Sequence, residues 1–183
     1  YSYTVAARDD DAGDKVTLSG TTIPTWLTFT PATSANPVEA TLTGTPLNAH
    51  VGTHTVVITA TDNGTGALTA TQTFTITVTN VNDAPEITST EVTSGTEDVQ
   101  YSYTVAARDV DAGDTVTLAM TTTPDWLTFN VNAQSAANSA TATLTGTPLN
   151  AHVGDHTVEI TATDGTLTAT QTFTITVASN NQE

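Results

Sequence analysis

The chain is written twice. "YSYTVAARDDDAGDKVTL" at Tyr1 returns as "YSYTVAARDVDAGDTVTL" at Tyr101. "ATLTGTPLNAHVGTHTVVITATD", ending at Asp62, returns as "ATLTGTPLNAHVGDHTVEITATD", ending at Asp164, and "LTATQTFTITV" ends once at Val78 and again at Val177. A period of about 100 residues is too long for a solenoid repeat and fits a small domain that buries its own core. The two copies differ where surface connections are expected: "TPATSANPVE" against "NVNAQSAANSAT", and "DNGTGALT" against "DGTLT".

Each copy reads as strands. In "QTFTITVTN", Phe74, Ile76 and Val78 fall on one face and Thr75, Thr77 and Thr79 on the other, and "YSYTVAA" places Tyr3, Val5 and Ala7 together. That period of two marks strands with one buried side. No segment has the 3.6-residue period of an amphipathic helix. Several short strands per copy, punctuated by Gly, Pro, Asn and Asp, predict an all-β chain of two tandem Ig-like or cadherin-like β-sandwich domains. The expected division is 1–79 for the first sandwich, 80–85 for a linker and 86–183 for the second. "EITSTEVTSGTEDVQ", residues 86–100, is expected to supply the first strand of the second copy; the first copy opens at what corresponds to its second strand. In the linker, Pro85 and the residue before it favour extended backbone.

Charge narrows the partners. The 183 residues carry 19 Asp plus Glu against 3 Lys plus Arg, a formal net charge of −16. Nucleic acid and anionic membrane surfaces are poor partners for such a chain, which has almost no cation to neutralise phosphate. No apolar run reaches the length of a membrane span, so no membrane insertion is expected. There is no cysteine, hence no disulfide framework and no thiolate chemistry, which favours a bacterial product. Abundant Thr and Asp with little Lys suggest a secreted β-protein.

The acids are clustered. "RDDDAGD" at 8–14 and "RDVDAGD" at 108–114 each crowd three or more carboxylates into one short loop. Such a loop is either a solvated turn or the wall of a cation site, since Asp and Gly are also ordinary turn formers. For the second copy three segments offer oxygens: Asn80, Asn82 and Asp83 from the linker, Asp109, Asp111 and Asp114 from the loop, and Asp164 from the "ATDG" turn. An immunoglobulin-type topology brings all three to one end of the sandwich. Calcium suits them, because it takes six to eight oxygens from carboxylates, Asn side chains and backbone carbonyls; zinc would call for His or Cys. The loop is not an EF-hand, because the twelfth position from Asp109 is Met120.

"NVNDAP", "ARDVDAGD" and "ATDG" resemble the calcium motifs of cadherin repeats. "PDWLTF…LTGTP" followed by "GDHTVEITATDG" resembles dystroglycan-type cadherin-like domains and the related "Putative Ig" repeats of bacterial surface adhesins and some secreted polysaccharide-degrading proteins. The resemblance covers essentially the whole chain. It implies calcium at the junction of successive domains, with Asn82 and Asp83 as linker ligands and Asp109, Asp111 and Asp164 as ligands from the second domain. It places Glu97 of "GTEDVQ" at the opposite end, facing a further domain. Departures exist: Asn80 stands where cadherin linkers usually begin with Asp, and "GTPLNAHVG" replaces an acidic segment. The corresponding residues of the first copy, Asp9, Asp11 and Asp62, are expected to form a weak or empty site.

Other chemistry is not expected. Trp26 and Trp126 alternate with Phe and read as core. The "HVGxH" pairs, His50 with His54 and His152 with His156, read as loop residues, since Val-Gly does not favour a helical zinc pair. No Gly-x-Ser-x-Gly elbow appears, so the chain is not expected to be an enzyme. Three roles follow: a calcium-stiffened extracellular spacer contacting adjacent repeats of the same polypeptide, a calcium-dependent module for carbohydrate or for like domains, or an accessory domain of a secreted polysaccharide hydrolase.

Overall fold

The computed structural model describes residues 1–11, 13–135 and 138–180. They form two compact units, Tyr1–Val81 and Asn82–Glu183. Each is a pair of β-sheets closed over one core.

Unit 1 contains β1 (Ser2–Ala7), β2 (Val16–Thr22), β3 (Thr28–Pro31), β4 (Val38–Thr43), β5 (Gly52–Asp62) and β6 (Thr69–Val78). One sheet has the order β1-β4-β3 and the other β2-β5-β6. Every pairing is antiparallel. The alternation read from the sequence is the burial pattern observed: Val38, Ala40 and Leu42 of β4 point inward, while Glu39, Thr41 and Thr43 face solvent. Val16, Leu18, Val56 and Ile58 close the core from the other sheet.

Unit 2 contains β7 (Glu86–Ile87), β8 (Ser94–Thr96), β9 (Tyr101–Arg108), β10 (Thr117–Thr122), β11 (Thr128–Ser135), β12 (Ser139–Gly146), β13 (Gly154–Thr163) and β14 (Thr168–Ala178). Its sheets have the orders β11-β12-β9-β7 and β10-β13-β14-β8. The segment read as one first strand is therefore two short ones, on different sheets. β7 runs antiparallel to β9, and β8 runs parallel to β14. Ser89 explains the switch. Its hydroxyl accepts from the Ala106 N–H at 2.9 Å and bonds the Tyr103 hydroxyl at 2.8 Å. A side chain thus takes the place of the next ladder bond, and the backbone is released towards the other sheet. Tyr101, Tyr103, Leu144, Val158, Ile160 and Ile175 are all buried in this core.

The "LNAH" segments form single 3-10 turns, Asn48–His50 and Asn150–His152. Each is locked by its histidine. The Leu149 N–H donates to His152 Nδ1 at 2.9 Å, and His156 Nε2 donates to the His152 carbonyl at 2.7 Å. Because Nδ1 accepts, the ring proton is on Nε2, facing Asp125 at 3.6 Å. Leu47, His50 and His54 repeat the pattern in unit 1. These histidines are thus turn locks packed against Trp26 and Trp126. Replacing His152 by Ala removes one acceptor from the Leu149 N–H, and unit 2 should lose about 1 kcal/mol in urea unfolding.

Candidate metal centre

β9 ends at Arg108 in one sheet and β13 at Thr163 in the other, and the acids that follow them meet at one end of unit 2. Asp109 follows β9 directly and Asp164 follows β13 directly. The loop after β9 must reverse sharply, and Gly113 does so at φ +103°, a conformation that favours glycine. One oxygen each from Asp109, Asp114 and Asp164 lie within 4.8 Å of one another. A calcium ion binds oxygens at about 2.3–2.6 Å, so ligand atoms on opposite sides of one ion stand about 5 Å apart. Three oxygens this close could share a single cation.

The burial is unusual for acids. Asp109 is 3% exposed and Asp111 is 1% exposed. Asp109 Oδ1 accepts from the Asp111 N–H at 2.8 Å, whereas Asp109 Oδ2 and Asp114 Oδ2 are buried without a hydrogen-bond partner among the described residues. Asp109, Asp114 and Asp164 have no ion-pair partner among the described residues. Arg108, next in sequence, is turned to Glu86 at 3.0 Å. Buried carboxylate oxygens left without donors are costly, and a proton or a cation would satisfy them.

The start of unit 2 is tied to this cluster. The Asp83 N–H donates to Asp111 Oδ2 at 2.7 Å, and Asn82 Nδ2 donates to Asp164 Oδ2 at 2.8 Å. A half-turn of the Asn82 amide would present its oxygen in place of its nitrogen. Asp111 thus straps the incoming chain to the loop through a backbone donor. Pro85, just beyond, is buried.

One further residue shapes the loop, and the sequence reading did not single it out. Asn138, at φ 47°, donates through Nδ2 to the Asp109 carbonyl at 2.8 Å, and its own carbonyl accepts from the Asp109 N–H at 2.7 Å. Asn36 does the same work in unit 1, bonding the Asp9 carbonyl at 2.9 Å and the Asp9 N–H at 3.1 Å. The signal was there: an Asn kept at the same place in two loops that otherwise differ.

The remaining candidates lie elsewhere. Glu97 follows β8 at the opposite end of unit 2, buried, accepting from the Asn180 N–H at 3.1 Å and the Ser179 hydroxyl at 3.3 Å. Asn80 is exposed at the end of unit 1. Asp9 and Asp11 cluster with Asp14, again within 4.8 Å. Asp62 instead accepts from the Gly64 N–H at 2.9 Å. Asp9 is half-buried and Asp11 exposed, so the first-copy cluster is far better solvated than Asp109 and Asp111.

The electrostatics follow from these contacts. Asp114 titrates above the ordinary carboxylate value of 3.8, because of desolvation first and then the charges of Asp109, Asp111 and Asp164. Asp164 titrates below it, held by the N–H groups of Leu167 and Thr166 and by the Asn82 amide. A raised carboxylate opposes folding once ionised, and that opposition is relieved as pH falls through its folded pKa. A depressed one stabilises above its unfolded pKa, and that stability is lost as pH falls through the folded value. The metal-free chain should therefore gain stability at first on mild acidification, through Asp114, and lose Asp164's contribution only at lower pH. Protons should also compete with a cation at Asp114 first, so calcium affinity should be weaker at about pH 5 than at pH 7. Calorimetric titrations at the two pH values check this.

A family model described as "Putative Ig domain" matches residues 1–79 and again residues 84–178. Among solved structures, one titled "PcdhgB3 EC1-4" aligns with a TM-score of 0.60 at 19% identity, over 91% of this chain and 41% of that one. Protocadherin Gamma B2 extracellular cadherin domains 3-6 align at 0.58 and 16% identity, over 89% and 40%. These are likenesses of fold. An endo-fucoidan hydrolase of glycoside hydrolase family 107 shares 27% identity over 99% of this chain, with a TM-score of 0.46, and the chain spans 27% of its length. No curated protein matches the chain.

Proposed function

The chain belongs to the "Putative Ig domain" family as two tandem copies, and on that premise we propose that it is a calcium-stiffened repeat pair, a spacer or adhesion segment of a larger extracellular protein of the bacterial surface. The observation that carries this reading is the pair of buried, unpartnered oxygens, Asp109 Oδ2 and Asp114 Oδ2, in a cluster completed by Asp164. The donors are all oxygen, which fits calcium and not zinc. Calcium joins Asp109, Asp114 and Asp164, and Asn82 adds a fourth ligand by rotating its amide. Asp111 and Asp83 hold the incoming backbone against the same loop.

The mechanical consequence is simple. Metal-free, the repulsion among these acids works against the hydrogen bonds that hold Asn82 and Asp83. With calcium most of that charge is offset, the start of unit 2 is fixed, and the stretch of linker free to swivel is shorter. Extracellular modules bind calcium at about 10⁻⁴–10⁻³ M, and a site of that affinity would fill in the millimolar calcium outside a cell, which is the location this reading takes. Among the described residues no helix is long and apolar enough to cross a membrane.

Small-angle scattering of the full chain in millimolar calcium and in chelator tests the stiffening. The maximum dimension should be better defined with calcium, and identical profiles would sink the idea. Calorimetric titration of the chain and of an Asp109→Ala, Asp111→Ala variant tests the site. Equal calcium uptake by both would remove these residues from it.

A further inference from the structure

The loop that carries Asp109, Asp111 and Asp114 is held less by itself than by one residue of the β11–β12 connection. Its own closing bond is long: the Asp114 N–H donates to the Asp111 carbonyl at 3.4 Å. The bond from the Asp111 N–H to Asp109 Oδ1, at 2.8 Å, fixes its first half. Asn138 reaches both ends. Its carbonyl accepts from the Asp109 N–H at 2.7 Å, its Nδ2 donates to the Asp109 carbonyl at 2.8 Å, and its own N–H donates to the Asp114 carbonyl at 3.1 Å. All three lie in the ordinary range for N–H···O bonds. They tie residue 109 to residue 114 through a single third residue.

Asp109 and Asp114 are also the two residues whose Oδ2 atoms are buried without a hydrogen-bond partner among the described residues. One oxygen of each lies within 4.8 Å of the other and of Asp164. Like charges at that range repel, so a metal-free loop at liberty to open would carry Asp109 and Asp114 apart. The clamp grips backbone, and it opposes that opening without occupying a carboxylate oxygen. Asn suits the task on two counts. Its backbone stands at φ 47°, in the left-handed region that Asn enters more readily than most residues. Its amide also supplies a second donor, since its backbone N–H is already committed to Asp114. Unit 1 has the lesser arrangement. Asn36 bonds the Asp9 N–H and the Asp9 carbonyl, both through its side chain, and among the described residues it has no bond to Asp14.

We propose that Asn138 is the positioning residue of the calcium loop: by tying Asp109 to Asp114 it sets the separation of the two carboxylates in the metal-free chain, and with it the affinity of the site for calcium. The inference rests on the reading of this cluster as a calcium site. A pre-organised site loses less freedom when its ligand arrives, so the clamp is read out as affinity. Control of the site then lies in the β11–β12 connection, whose length differs between the copies. The acids alone do not set it, because they are the same at 9, 11 and 14 as at 109, 111 and 114.

Asn138→Gly is the informative change. Glycine adopts the positive φ without strain and keeps both backbone bonds, so only the Nδ2 donor is removed. Calcium is titrated into the isotope-labelled full chain, parent and variant, and followed at the amides of residues 109–114. Affinity in the variant should fall about three- to tenfold, the scale of one net hydrogen bond. Without calcium, amide exchange over residues 109–114 should quicken while β9 and β13 stay as protected as in the parent. A merely structural role would not move calcium affinity at a temperature where both chains are folded. Two results overturn the inference and leave the site standing. One is unchanged affinity in Asn138→Gly beside lost affinity in the Asp109→Ala, Asp111→Ala variant. The other is exchange that quickens throughout β9 and β13, which makes Asn138 a general brace of the fold. If the parent and the Asp109→Ala, Asp111→Ala variant bind calcium alike, the calcium reading fails and this inference falls with it.

Discussion

In chelator, an Asp114→Asn chain is expected to melt at a higher temperature than the parent; in millimolar calcium the order is expected to reverse. Asp114 is the acid of the cluster whose ionisation the fold resists, through desolvation and the charges of Asp109, Asp111 and Asp164. Asn keeps the shape and removes the charge, so the metal-free fold is relieved. The same change takes an anionic ligand from a site whose affinity depends on ligand charge, and calcium affinity should fall at least about tenfold. Ligand linkage gives the scale. With dissociation constants of about 10⁻⁴–10⁻³ M, roughly 10 mM calcium stabilises the parent by about 1.4–2.7 kcal/mol. A tenfold weaker site loses about 1.0–1.3 kcal/mol of that. Thermal melts of both chains with and without calcium decide the matter. A shift in the same direction under both conditions would mean that Asp114 acts through packing alone, and the cation site would have to be rebuilt without it. Asp14→Asn is the internal comparison: its cluster in unit 1 is better solvated, so both effects should be smaller there.

The duplication made much of this fold legible. Two near-identical texts could be aligned with each other, and alternation such as Phe74-Thr75-Ile76-Thr77 marked faces that the structure buries and exposes accordingly. The segment 86–100 was harder. Its split between two sheets depends on Ser89 meeting Ala106 and Tyr103, long-range contacts that leave no periodic trace. The acids of the candidate site could be gathered from topology, because strand ends fix where Asp109 and Asp164 emerge. Their separate characters could not. Asp111 Oδ2 meets the Asp83 N–H, whereas Asp109 Oδ2 meets no hydrogen-bond donor among the described residues, a distinction between like residues in one loop that their spacing does not encode. Asn138 was hidden for another reason: it sits in the connection whose length differs between copies, where variation draws attention away from the few residues that do not vary.

Gly146→Ala should be among the most damaging single-methyl changes in unit 2. Gly146 ends β12, opposite Tyr101. A Cβ built there would lie 2.0 Å from the Trp126 carbonyl oxygen and 3.0 Å from its carbonyl carbon. The obstacle is backbone, so no rotamer change relieves it. Trp126 sits in a turn closed by the Leu127 N–H donating to the Pro124 carbonyl at 3.1 Å. Its ring is edge-on to Tyr101 at 5.8 Å and near His152 at 6.4 Å. Moving the turn therefore moves an aromatic cluster in a buried corner. Overpacking typically costs about 1–3 kcal/mol, and a backbone collision with packed rings behind it belongs at about 3 kcal/mol or above. For a unit of this size that lowers the melting temperature by on the order of 10 °C or more. Gly95→Ala is the control. Its Cβ would meet Val177 Cγ2 at 3.5 Å, an ordinary contact, so a change of less than about 0.5 kcal/mol is expected. Urea unfolding read by tryptophan fluorescence in a Trp26→Phe background reports unit 2 alone. Equal midpoints for the two alanine variants would show that the turn carrying Trp126 yields freely, and the glycine that "LTGTP" holds in both copies would then need another reason. The collision is repeated at Gly44, 2.1 Å from the Trp26 carbonyl oxygen. Trp26 is only half-buried beside its open recess. Its turn has more room to shift, so Gly44→Ala should cost less than Gly146→Ala.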